Sequence, residues 1–99
     1  MNTDKSLLSK LHSETAKIHW HELETFFARG VVLHVADELD LIEIAAQFAN
    51  DDSSSLAAFI KSNKIAPPTN DNARKWHDAN TLMWSVVVAP FVLVQQIIE

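Results

Sequence analysis

Residues 82–98, LMWSVVVAPFVLVQQII, limit what this chain can fold into more than any other stretch. Between 82 and 94 only Ser85 is polar, and no residue from 82 to 98 is charged. A membrane helix needs about 20 predominantly apolar residues, so this run is short, and Pro90, Gln95 and Gln96 interrupt it further. Val86, Val87 and Val88 are stiff at χ1, which suits a pleated strand better than a helix. A strand that is apolar at successive positions must be covered on both faces. The reading is a buried central strand over residues 82–89. Pro90 cannot donate to a ladder, so it marks a bulge, an edge or the first turn of a terminal helix. Residues 90–98 are therefore open to either strand or helix.

The rest of the chain must supply the cover, and 99 residues with 47% apolar content, three Trp and five Phe can do so in a single α+β domain spanning 1–99. The absence of Cys excludes disulfides, thiol catalysis and cysteine metal sites. A net charge of −5 disfavours nucleic acid and anionic membrane surfaces as partners. The opening MNTDKSLLSK lacks an apolar core of signal-peptide length, which leads us to expect a cytoplasmic protein ordered beyond its first few residues.

Helical spacing runs from 5 to 18 through Leu7, Leu8, Leu11 and Ile18, with Thr15 filling the gap. A second helix carries Trp20, Leu23, Phe26 and Phe27 and ends at Gly30, the one Gly of the chain, where positive φ is expected. Residues 31–35, VVLHV, read as a strand. Asp40-Leu41-Ile42-Glu43 has capping-box spacing with Asp as the cap. The helix after it is apolar around most of its circumference, so it should pack directly on the central strand. Asp51 and Asp52 precede a fourth helix, Lys64-Ile65-Ala66 reads as a short edge strand, and residues 70–79 form a fifth helix after Thr69. The expected fold is about five helices around a two- or three-stranded sheet. The elements from 41 to 66 give it a winged-helix-like option.

Few residue sets point to chemistry. His19 and His21 are two apart and leave a helix on different faces, and Thr25 stands where a zinc-protease motif needs its second His. His12, His34 and His77 are scattered, so no metal set is expected. Asp51 and Asp52 fit helix capping better than cation binding, and Ser53-Ser54-Ser55 lacks the glycines of a nucleophile elbow. Gly30 alone cannot build a phosphate loop. The helix-turn-helix shape over 41–62 would present SSSLAAFIKS to DNA, with one basic residue and two carboxylates at its start, and like charge there opposes phosphate. Trp20, Trp76 and Trp84 all fall on inward faces; any of them left exposed would mark a place for a partner.

Three segments resemble the bacterial domain of unknown function 2288 family: Phe26-Phe27-Ala28-Arg29-Gly30-Val31-Val32-Leu33, Ala45-x-x-Phe48-Ala49-x-Asp51-Asp52, and Trp84-Ser85-Val86-Val87-Val88-Ala89-Pro90-Phe91-Val92-Leu93-Val94-Gln95. Arg74-x-Trp76 and Ile18-x-Trp20-x-Glu22-Leu23 are similar to it as well, so the likeness covers nearly the whole chain. It implies a small, single-domain, cytoplasmic bacterial protein and carries over no activity and no cofactor. His19 stands where members often have Pro or Ser. The polar residues within the matching segments, Arg29, Asp51, Asp52, Arg74 and Gln95, form the candidate binding patch; the bland reading pairs the arginines with the aspartates and lets Gln95 satisfy a strand end. The functional expectation is a non-enzymatic module acting through a protein partner or self-association. A hydrolase- or metal-type enzyme using Asp51, Asp52 and a histidine is the alternative, and a helix-turn-helix DNA binder the third.

Overall fold

The computed structural model describes residues 5–98. The elements in order are α1 (Lys5–Glu14), β1 (Ala16–His19), α2 (Trp20–Ala28), β2 (Val32–Val35), α3 (Leu41–Ala49), α4 (Ser53–Lys61), β3 (Ile65–Ala66), α5 (Asn70–Ala79), β4 (Leu82–Val88) and β5 (Phe91–Gln96). The strands make one sheet in the order β1-β4-β5-β2-β3. Neighbours are antiparallel except β2 and β5, which run parallel. The α+β class and the five helices agree with expectation, but the sheet has five strands rather than two or three.

The two further strands have separate causes. The helix expected over 5–18 stops at Glu14, and residues 16–19 become β1. At the break Thr15 Oγ1 donates to the Leu11 carbonyl at 2.6 Å. Ala16–His19 then pair with Ser85 through Leu82, so distant ladder partners outcompete the local helical pattern. The second further strand lies beyond Pro90. Ala89 and Pro90, joined by a cis peptide, form a tight turn in which the missing proline N–H costs no ladder bond. Phe91–Gln96 then return along β4 and reach β2 on their other side. β5 is thus the middle strand of the sheet, with β4 next to it.

Side chains alternate across the sheet. Val35, Val86 and Leu93 go to one face, under Leu11 of α1, most of α3 and Leu56 of α4. Val32, Met83, Val92 and Val94 go to the other, under Trp20 and Leu23 of α2 and Trp76 of α5. β4 is covered on both faces only in its middle, because Leu82 and Val87 remain 37% and 58% exposed. α3 behaves as its composition demands, burying Leu41, Ile42, Ile44, Ala45 and Ala46. The winged-helix-like option is not realised: β3 pairs with β2 as the outer strand of the five-stranded sheet instead of forming a separate wing.

Helix ends follow local chemistry. Asp40 Oδ1 accepts from the Ile42 and Glu43 amides at 2.9 and 3.3 Å. Asp52 and Thr69 cap α4 and α5 in the same manner. Gly30 has φ +76°, the left-handed conformation in which a side chain is disfavoured. Asp40→Ala is expected to cost about 1 kcal/mol, the usual scale of a lost N-cap. A urea titration of the variant by circular dichroism measures it.

Candidate functional site

Trp20 and Trp76 are buried, whereas Trp84 is only half-buried. Trp84 sits in β4 opposite Gln95 of β5, and together they line a cleft of about 430 Å³ on the α1/α3 side of the sheet. Its other lining comes from His12 and Thr15 at the end of α1, and from Leu39, Asp40, Leu41 and Ile42 around the start of α3. Pockets for small ligands and anchor side chains commonly span about 300–1,000 Å³, so the cleft is of useful size. The Lys17 ammonium lies 5.0 Å from the centre of the Trp84 ring, a cation–π contact from the neighbouring β1. The Gln95 amide donates to the Ala36 and Leu39 carbonyls at 2.8 and 2.7 Å, which holds the loop before α3 against β5.

A second cluster lies on the other side of the sheet, where the start of α2 meets the end of α5. His21 and Glu24 are three apart and share a face of α2. His77 in the last turn of α5 meets them: its Nδ1 is 2.9 Å from Glu24 Oε2, and its carbonyl is 2.9 Å from His21 Nε2. The two imidazole rings are 4.8 Å apart. Backbone contacts fix the junction. The Trp20 amide donates to the Thr81 carbonyl at 2.8 Å, and the His21 amide to Asn80 Oδ1 at 3.1 Å. Asn80 itself takes the left-handed conformation that ends α5. Beneath the histidines, their chain neighbours Trp20 and Trp76 pack edge to face at 5.1 Å. Sequence reasoning missed this cluster because His21 and His77 are separated by 56 positions and no local pattern joins them. The i, i+3 spacing of His21 and Glu24 was the one available signal. His19, by contrast, belongs to β1 rather than to the helix that carries His21.

The five residues of the expected patch occupy several elements. Arg29 is the exposed C-cap of α2, and Arg74 is exposed in the middle of α5. Asp51 takes φ +53° in the turn between α3 and α4. Asp52 Oδ1 and Oδ2 accept from the Ser55 amide and hydroxyl at 3.3 and 2.9 Å. Gln95 lines the cleft. Among the described residues no ion pair joins either arginine to either aspartate, and no hydrogen bond links an aspartate of the pair to a histidine. Asp52 therefore serves as a helix cap.

One further histidine has an unusual setting. His34 of β2 packs edge-on against Trp76 with centroids 5.0 Å apart, and its Nε2 is buried without a hydrogen-bond partner. Burial lowers its pKa below the ordinary histidine value, with the nearby Asp37 charge opposing the shift. The unfolded chain then takes up this proton more readily than the folded one as pH falls through about 6.5, so acid destabilises the fold through this group. The wild type is expected to lose more urea stability between pH 7.5 and 5.5 than His34→Leu does, and paired titrations measure the difference.

The α+β domain thus carries an open cleft on one face of its sheet and a histidine–carboxylate cluster on the other. The model of the family described as "Protein of unknown function (DUF2288)" matches residues 6–96, and the chain belongs to that family. The NMR solution structure of PA1075 from Pseudomonas aeruginosa is similar to it at 38% identity and a TM-score of 0.81, covering 100% of this chain and 92% of that one. None of the curated proteins matches the chain. Among the described residues no helix is long and apolar enough to cross a membrane.

Proposed function

We propose that this protein is a non-enzymatic interaction module that takes an extended segment of a partner protein into the cleft over Trp84. The observation that carries this reading is the half-buried Trp84 on the floor of an open cleft of about 430 Å³. A large aromatic ring that the fold leaves accessible is the residue type that most often anchors a partner. The adjacent β1 is an outer strand of the sheet, and an outer strand offers unpaired backbone groups to an added one. The partner segment would place an apolar side chain against Trp84 and a carboxylate within reach of the Lys17 ammonium beside that ring.

The test is to select extended peptides against the immobilised protein and map them on isotope-labelled protein by NMR. The reading expects shifts at Trp84, His12, Thr15 and β1, and a loss of about 2 kcal/mol of binding in Trp84→Ala, the scale of an interfacial hot spot. Peptides that map elsewhere, or a selection that yields none, would overturn it. A second copy of the chain is the competing occupant. A mass by light scattering that doubles as concentration rises, with Trp84 shifts to match, would assign the cleft to self-association.

A further inference from the structure

We infer that His21, Glu24 and His77 form a binding site for a divalent transition-metal ion, with zinc the ion best matched to its donors. One ligand atom from each of the three residues lies within 4.8 Å of the others. Donors about 2.1 Å from a tetrahedral zinc sit about 3.4 Å from one another, so closure asks for a contraction of up to about 1.4 Å. His21 and His77 are exposed and Glu24 half-buried, which leaves these side chains room to make that movement. The backbone beneath them is held firmly by the Asn80 cap and the Trp20–Trp76 contact.

The contacts already present bring the donors together. His77 Nδ1 faces Glu24 Oε2 at 2.9 Å, and an ion entering between them takes the place of the proton they share. The His21 ring lies beside that of His77 with centroids 4.8 Å apart, and its contact with the His77 carbonyl is exchanged for the ion as the site closes. Two imidazoles and one carboxylate are the ligand set of many zinc centres with an open fourth position, which water would occupy here. Two nitrogen donors argue against calcium and magnesium, which take oxygen ligands.

The experiment is a zinc chloride titration of protein free of any histidine tag, followed by calorimetry and by NMR of the imidazole side chains. The expected result is one saturable equivalent that shifts the His21 and His77 rings, with at least about tenfold weaker binding in His21→Ala, His77→Ala and Glu24→Gln. His12→Ala and His19→Ala should bind as the wild type does, and magnesium should not compete. Circular dichroism establishes that each variant is folded, and Glu24→Gln serves if a histidine variant is not. Absence of saturable binding, shifts confined to other histidines, or full affinity in Glu24→Gln and His77→Ala would overturn the site.

Discussion

Trp20→Ala should lower the unfolding free energy by about 3–5 kcal/mol, the range for removing a large aromatic side chain from a core. Trp20 has no solvent exposure, packs on Phe27 at 5.4 Å and on Trp76 at 5.1 Å, and belongs to the cluster under α2 and α5. In a domain of this size such a loss corresponds to a fall in melting temperature of more than about 12 °C. Trp20→Phe gives a sharper result. The indole Nε1 is buried without a hydrogen-bond partner, a burden of about 1–3 kcal/mol that phenylalanine does not carry. Phe should therefore recover most of the stability that Ala loses, despite its smaller ring. If Phe proves as damaging as Ala, shape alone governs this position and the unpaired N–H has no energetic weight. Urea midpoints for the three proteins distinguish the outcomes.

Gln95→Leu is the second large effect, expected at about 1–3 kcal/mol. Its amide is the donor to both the Ala36 and Leu39 carbonyls, in surroundings only partly open to water. Leucine keeps the bulk and removes both donors: the Leu39 carbonyl loses its partner at a cost of about 1–3 kcal/mol, while the Ala36 carbonyl keeps the Leu39 amide at 3.0 Å. Gln95→Glu should do no better, because a carboxylate turns acceptors toward acceptors. Amide exchange should separate this from a general loss of packing: protection around residues 36–40 falls first if the carboxamide is what holds the loop. The same variants are also expected to disturb the cleft, since Gln95 and Leu39 both line it.

How much of this was readable in the sequence varies with the range of the interaction. Asn70–Ala79 is a helix at the limits its Thr69 cap and turn residues suggest, and Asp40 caps α3 as its spacing requires. Those signals act within a few residues. The break at Thr15 was not readable, because 16–19 leave the helix only in exchange for bonds to residues 82–85. Beyond Pro90, apolar character suited a strand or a terminal helix equally well, and the decision rests with β2 and β4 on either side. The site followed the same rule. Trp84 was flagged among three tryptophans, but only packing determines which of them stays accessible. The union of Glu24 and His21 with His77 depends on two helices meeting on one face of the sheet, and composition holds no trace of that.

The placement of β5 also bears on the order in which this protein can be made by a ribosome. It lies at 91–96, yet it separates β4 and β1 on one side from β2 and β3 on the other. Until those residues leave the exit tunnel, β2 has no parallel neighbour, and the floor beneath α3 lacks Leu93 between Val35 and Val86. The nascent chain must therefore hold much of its apolar surface unsatisfied and then close the whole sheet nearly at once. Pairings this distant in sequence slow folding and lengthen the interval of exposure to aggregation. Stalled chains truncated before residue 91 should accordingly remain open to protease, and addition of the last strand should confer resistance on both halves of the sheet together.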